Sequence, residues 1–358
     1  MSQKVINDLV IKAAQGKPTP TVPVWFMRQA GRSLPEYRAV RKRGSILDTI
    51  KDPRLSAEIT LQPVQRYGVD AAILYSDIIV PVFAIGFGIE VVEGKGPVVP
   101  QPFRNDGDLA RLRNLEPEID TSYVLETIKI LVEELHVPLI GFAGAPFTVA
   151  SYLIEGGPSR SYIKTKSLMR SNPALWHKLM ERLSLLAIAS LKSQIAAGAS
   201  MYQLFDSWAG ILSPSEYRIM VAPYSNAIFS ALAEKNVPSI HFGVGTAGLL
   251  DQMAHSGASA VGVDDRVSLE EAHRLTQGKV ALQGNLDPVN ILIGHDIAIA
   301  ESKKVLASSA KSVGYIFNLG HGVLPDSDPR ILKSVADLVH DQGADIRAAA
   351  SQSQLGEQ

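Results

Sequence analysis

Arg28, Arg32 and Arg38 follow directly on the short apolar run 22–26 in the stretch PVWFMRQAGRSLPEYR. A run of that kind reads as a buried strand whose end should pass into a polar turn. Here it passes into a cluster of fixed cations. If the segment turns helical, Arg28 and Arg32 lie four apart on one face, roughly 6 Å apart at their Cβ atoms. They could then present bidentate guanidinium forks to carboxylates or phosphates. The same spacing also suits a solvated helix face with Glu36 as counter-ion. Position favours a site, because Phe26 and Met27 lead in and Gly31 opens space between the two cations.

Asp77 is the odd residue of the apolar stretch AAILYSDIIVPVFAIGFGI. An unpaired carboxylate there must seek a partner or suffer a raised pKa, since desolvation penalises its charged form. It could be a helix N-cap or the partner of one of the arginines. It could also be an anion awaiting N–H donors or a cationic intermediate. His321 lies between glycines in NLGHGVLPD, where backbone can approach a ligand. By itself a lone histidine is more often structural than catalytic. His241, His255 and His273 show no metal-ligand spacing with one another, and the chain has no cysteine, which removes thiolate nucleophiles, disulfides and cysteine-ligated metals. The glycine-rich FGVGTAG (242–248) matches a phosphate cradle only loosely and reads as a plain loop. There is no Walker motif and no GxGxxG fingerprint.

Charge supports local anion binding over a global field. Lys and Arg number 35 against 36 Asp and Glu, so nothing in the balance would collect nucleic acid or an anionic membrane. No segment approaches the ~18 uninterrupted apolar residues of a membrane helix. The start, MSQKVINDLVIKAAQGKPTP, reads as an amphipathic helix and not a signal peptide. These features lead to the expectation of a cytoplasmic protein.

The elements that would position such residues alternate along the chain. Strands are predicted at 21–26, 70–76, 137–144, 201–207, 237–243, 260–265, 280–285 and 314–320. Helices are predicted at 55–66, 122–135, 173–197, 214–234, 269–276, 296–312 and 329–342. About eight βα units in one chain imply an α/β fold, a single (β/α)8 TIM-type barrel, with the open doubly wound sheet as the other arrangement. The segment 88–103 has no helical period and reads as a β-hairpin insertion over the barrel mouth, turned by Gly94 to Gly96. Residues 1–350 are expected to form one catalytic domain, with 351–358 a frayed, disordered tail. In a barrel the C-terminal strand ends build the site. Those positions hold Arg28 and Arg32, Asp77, Thr148 and Tyr152, Asp206 and Ser207, Asp264 and Asp265, Gln283, Asn285 and Asp287, then Asn318 and His321.

The stretches PVWFMRQAGRSLPEYR and GFAGAPFTVASYLIEGG resemble the two signatures of the uroporphyrinogen decarboxylase family. LYSDIIVP, GKGP, QLFDSWAG, QGNLDP and NLGHGVLPD extend the resemblance along the chain. It implies a (β/α)8 barrel, paired as a homodimer, that removes the four acetate carboxyls of uroporphyrinogen III to give coproporphyrinogen III without metal or organic cofactor. It also implies that Arg28, Gln29, Ala30, Gly31, Arg32, Asp77, Tyr152, Ser207 and His321 bind the substrate, with Asp77 under the pyrrole N–H groups. Ser33 stands where many members carry an aromatic residue, which bears on loop packing.

Such a substrate carries eight carboxylates, and a nearly neutral protein can hold it only by concentrating guanidiniums at one cleft. With no cofactor, the electrons of the breaking C–C bond must flow into the pyrrole after its α-carbon is protonated. Asp77 would stabilise that cation, and Arg28 or a water it orients would supply the proton, a demanding task for a group that ordinarily titrates above ~12. Two other classes fit part of the pattern. Thiol methyltransferases share the barrel but generally use a cysteine on zinc, and a non-catalytic tetrapyrrole carrier would need the same arginines and Asp77 without turnover.

Overall fold

The computed structural model describes residues 7–31, 33–41, 45–92 and 96–355. Its strands in chain order are β1 (Ala72–Ile73), β2 (Glu90–Val92), β3 (Gly96–Val98), β4 (Leu139–Gly144), β5 (Met201–Asp206), β6 (Ser239–Gly243), β7 (Ala260–Gly262), β8 (Ala281–Leu286) and β9 (Tyr315–Leu319). Seven of them form one parallel sheet in the order β1-β4-β5-β6-β7-β8-β9. Consecutive strands pair in parallel with helices between them, which is the barrel pattern.

Closure falls to the run 21–26. Val24 bridges Phe317 of β9 in parallel, Phe317 N–H donates to the Pro23 carbonyl at 2.9 Å, and Trp25 N–H donates to the Phe317 carbonyl at 3.3 Å. On the other side Asp70 N–H donates to the Val24 carbonyl at 2.8 Å. This eighth stave closes the ring and disposes of the open-sheet alternative. It is a single bridge and not the predicted strand for local reasons. Pro23 has no N–H to give a ladder, and the Val24 N–H turns to the Asp70 side chain, 2.8 Å away.

The helices follow their punctuation. Pro53–Tyr67 starts on Asp52, whose carboxylate accepts from the N–H groups of Arg54 and Leu55, has Pro53 in its first turn, and ends at Gly68 in the left-handed region. Pro173–Ala197 matches its predicted span. The predicted helix 214–234 is instead Pro214–Met220 and Ala222–Leu232 followed by a 3-10 turn, since Pro223 cannot carry a continuous helix across Val221. The last helix, Pro329–Leu355, overruns its predicted end. The tail from residue 351, expected to fray, is therefore helical through Leu355, sustained by the good helix formers at 348–350. Gly343 lets this helix approach, because a Cβ there would sit 3.0 Å from Val22 Cγ2.

β2 and β3 pair antiparallel as the predicted hairpin, with residues 93–95 of its turn outside the described residues. The segment that follows is strapped to the helix Pro146–Glu155, through Val99 N–H to the Gly156 carbonyl and Phe103 N–H to the Leu153 carbonyl. Among the described residues no helix is long and apolar enough to cross a membrane.

A clasp holds the closing seam. Asp70 Oδ2 accepts from Val24 N–H and lies 2.7 Å from His340 Nε2, while Oδ1 accepts from Asn7 Nδ2 at 2.8 Å. One buried carboxylate thus joins the first stave, the N-terminal segment and the last helix. The His340 pKa is raised, first by its hydrogen bond to Asp70 and against the effect of burial, with Asp337 and Asp341 adding to the rise. A folded pKa above the unfolded value of ~6.5 contributes stability below that value and loses it as pH climbs through the folded pKa. Thermal midpoints measured across pH 5 to 9 should therefore show His340→Ala destabilised by roughly 1.5 to 3 kcal/mol on the acid side, with the gap closing as pH rises. A gap independent of pH would show that the clasp is not ionic.

Candidate active site

Arg28 sits in a strained turn built from below. Trp25 Nε1 donates to Gln283 Oε1 at 2.9 Å, Gln283 Nε2 donates to Gln203 Oε1 at 3.1 Å, and Gln203 Nε2 meets Met27 Sδ at 3.6 Å, all of it buried in the barrel. Met27 N–H donates to Asn318 Oδ1 of β9 at 2.9 Å, and the Met27 carbonyl accepts from Val323 N–H at 2.8 Å. The chain then reverses, with Arg28 at φ 57° and its side chain exposed. A non-glycine residue in the left-handed region carries strain, and it persists only where its surroundings over-determine it.

Two glycines make room for this residue. A Cβ on Gly322 would lie 2.5 Å from Arg28 Cδ and 2.7 Å from Cγ, and a Cβ on Gly31 would lie 2.6 Å from the Arg28 carbonyl oxygen. Gly31 thus permits the turn at Arg28. Among the described residues Arg28 stands in this left-handed turn and the next helix is Pro35–Arg41, so Arg28 itself is not on a helical face. Arg32 itself lies outside the described residues. Glu36, the counter-ion of the bland alternative, pairs instead with Arg66.

The Gln29 side chain is committed inside the protein. It is fully buried, its Oε1 accepts from Phe26 N–H at 3.0 Å and its Nε2 donates to the Ala71 carbonyl at 2.9 Å, so it staples the turn to the approach of β1. Ala30 packs against the core. Ser33 is buried and its carbonyl accepts from Arg38 Nη2 at 3.1 Å.

Asp77 follows β1, half-buried, and its Oδ1 accepts from Ile79 N–H at 3.1 Å. The carboxylate thus closes a local turn ahead of the short helix Val80–Ala84, whose N-cap is Ile79, and does not cap that helix as the structural alternative had it. That use leaves lone pairs free for further donors. Burial raises its pKa, opposed by the Ile79 N–H, the Arg28 charge and the Ile78 N–H. Among the described residues Asp77 makes no ion pair, so Arg28 acts on it through space.

Tyr152 lies on the helix Pro146–Glu155 and stacks on Trp208, ring centroids 4.1 Å apart and planes at 30°. Its phenol is pushed up to about 12 by burial and by Asp77, with Arg28 opposing, so it remains a neutral donor. His321 follows β9. Its pKa is lowered by burial, Arg28 and Arg266 against the pull of Asp265 and Asp264. Arg28 therefore reaches Asp77, Tyr152 and His321 alike, which brings together residues separated by almost the whole chain. Ser207, half-buried directly after β5, adjoins them through its neighbour Trp208.

Trp208 and Tyr162 were missed as site residues. Tyr162 packs edge-on against Trp208 at 5.2 Å, with its phenol also pushed up to about 12, first by burial. The signal lay in QLFDSWAG, where an indole follows a strand end directly. Other polar strand-end residues serve as braces. Asn318 accepts from Met27 and Leu319 N–H groups, Asn285 Nδ2 donates to the Asp264 and Val267 carbonyls, and Asp264 accepts from Gly245 N–H at 2.6 Å. That last bond makes 242–248 a braced loop.

Among the described residues the arrangement brings together the exposed cation Arg28, the carboxylate Asp77, the imidazole of His321 and a stacked aromatic wall. Such a mouth can hold an anionic ligand by its rim and accept N–H donors at its floor. The field of Arg28 is directly measurable. In an NMR titration His321 should protonate below the usual ~6.5, and Arg28→Ala should move its midpoint upward. An unmoved midpoint would separate the two residues.

Comparison with known proteins agrees with this geometry. The family model described as Uroporphyrinogen decarboxylase (URO-D) matches residues 6–342. A Salinispora tropica protein named uroporphyrinogen decarboxylase is 53% identical over 92% of this chain and 89% of its own length. The Streptomyces coelicolor protein of that name is 53% identical over 94% of this chain and 95% of its own. Among solved structures, a methyltransferase from Methanosarcina mazei superposes with a TM-score of 0.76 at 21% identity, covering 94% of this chain and 98% of that one, which is a likeness of fold. With the barrel, the two signature stretches and these relatives in agreement, the chain belongs to the uroporphyrinogen decarboxylase family.

Proposed function

We propose that the chain decarboxylates the four acetate side chains of uroporphyrinogen III, giving coproporphyrinogen III and CO2 in tetrapyrrole biosynthesis, as one catalytic barrel over residues 1–350. The observation that carries this is Asp77, a carboxylate with a raised pKa that lies within the field of Arg28 and has acceptor capacity unused. Pyrrole N–H groups fit that capacity. Arg28 meets the ligand's carboxylates, joined by Arg32, Tyr152 and Ser207 set the ring, and neutral His321 can donate or accept at the rim.

The chemistry follows from where electrons can go. Protonation of a pyrrole α-carbon creates an iminium-like ring cation, with the proton delivered by Arg28 or by a water it orients. The bond between the acetate methylene and its carboxylate then breaks, its electron pair flows into the ring, and CO2 leaves. Protonation of the resulting exocyclic methylene and loss of the added α-proton yield a methyl group. Asp77 stabilises the ring cation in a site of low dielectric, where such electrostatic contributions are large.

Exposed Val289, Leu292, Ile293 and Ile297 lie close together in sequence between β8 and β9 and support pairing of two chains. Light scattering should give twice the chain mass, and a monomer at working concentration would overturn the pairing. The proposed setting is the cytoplasm.

Incubating the purified protein with uroporphyrinogen under anaerobic conditions should release CO2 and give hepta- to tetracarboxylate products. Bound but unchanged substrate would make it a carrier. Asp77→Asn should cut the single-turnover rate by about 10²-fold, comparable to losing one preorganised donor in an oxyanion hole. Binding should suffer less, and the thermal midpoint should hold or rise, because a poorly solvated charge has gone. Native turnover in that variant would reduce Asp77 to the closure of a local turn.

A further inference from the structure

Thr148, in the first turn of the helix after β4, and Asp206, the last residue of β5, are both buried, at 1% and 0% exposure. Thr148 Oγ1 lies 3.1 Å from Asp206 Oδ1 and 3.3 Å from the Trp208 amide nitrogen. A hydroxyl has one proton. A carboxylate oxygen can only accept it, so the Thr148 O–H donates to Asp206 and its lone pair receives the Trp208 N–H. The chain of bonds therefore has one direction, and a buried acceptor strengthens it. Asp206 is itself set by its place at the end of β5, with Oδ2 facing His241 Nε2 at 3.9 Å.

This hydroxyl joins two separate elements of the site. Thr148 lies one helical turn before Tyr152 on the helix Pro146–Glu155, and Trp208 directly follows Ser207 on the loop after β5. The Tyr152–Trp208 stack is formed by side chains from just these two elements. The geometry points to Thr148 and Asp206 as positioning residues that hold the Tyr152–Trp208 wall and Ser207 in register with Asp77. The inference rests on the proposed decarboxylation for its kinetic consequence and on the hydrogen bonds alone for its structural one.

The test compares Thr148→Val, which keeps shape and removes the hydroxyl, with Thr148→Ser, which keeps the hydroxyl. Of the three tryptophans, Trp25 and Trp176 are fully buried and Trp208 is half-buried, so acrylamide quenching of indole fluorescence reports on the wall. Thr148→Val should raise quenching and lower kcat/KM for uroporphyrinogen about 10-fold, mainly through KM, since a misplaced contact weakens binding. Thr148→Ser should restore both to within about twofold of the parent. A folded Thr148→Val protein with parental quenching and KM overturns the proposal, as does a serine variant as impaired as the valine one. If Thr148→Val loses its thermal transition, Asp206→Asn carries the test, with smaller changes in the same direction expected from a weaker acceptor; parental values there also overturn it. A parent protein that fails to turn over uroporphyrinogen defeats the proposed function, while the quenching comparison still decides the positioning role.

Discussion

The through-space interaction between Arg28 and Asp77 is the constraint on which the site depends. A carboxylate carried into a poorly solvated pocket drifts towards its neutral acid, and a neutral acid cannot stabilise a ring cation. A direct ion pair would keep it charged but would occupy the lone pairs that a pyrrole needs. Among the described residues Arg28 acts on Asp77 without an ion pair, and the N–H groups of Ile79 and Ile78 are its backbone donors. The carboxylate is thus both influenced by a cation and free to accept.

Most of the local architecture serves to place that cation. Arg28 adopts a left-handed turn that few side chains occupy, and the turn is held by bonds from the barrel interior, the Gln29 staple and β9. Gly31 and Gly322 provide the clearance. The barrel itself has one irregular stave, the run that leads into this turn. The Asp70 clasp secures that stave at its outset, so the fold is closed by the segment that carries Arg28.

The barrel was legible because parallel strands and covering helices write opposite hydrophobic periods into the chain, and about eight alternations left little choice of fold. Strand ends were less legible, since a proline or a side-chain acceptor can remove a ladder bond without changing the apolar pattern, as at Pro23 and Val24. The strand-end rule named Arg28, Asp77, Tyr152 and His321, whose fields the structure brings together. It could not separate ligand-facing groups from braces. Gln29 and Gln283 have the same chemistry as binding residues, and only their consumed hydrogen bonds reveal the difference. A left-handed turn at an arginine is likewise unreadable from residue spacing, so the helical setting expected for Arg28 could not have been corrected from the sequence.

The account's central claim is that Arg28 sustains the charge of a desolvated Asp77. Carbon-13 NMR titration of the Asp77 carboxyl, in the parent protein and in Arg28→Ala, measures this directly. The account predicts a midpoint above the usual aspartate range in the parent, and a still higher one when the guanidinium is gone. A midpoint that stays in place or falls in Arg28→Ala would contradict it.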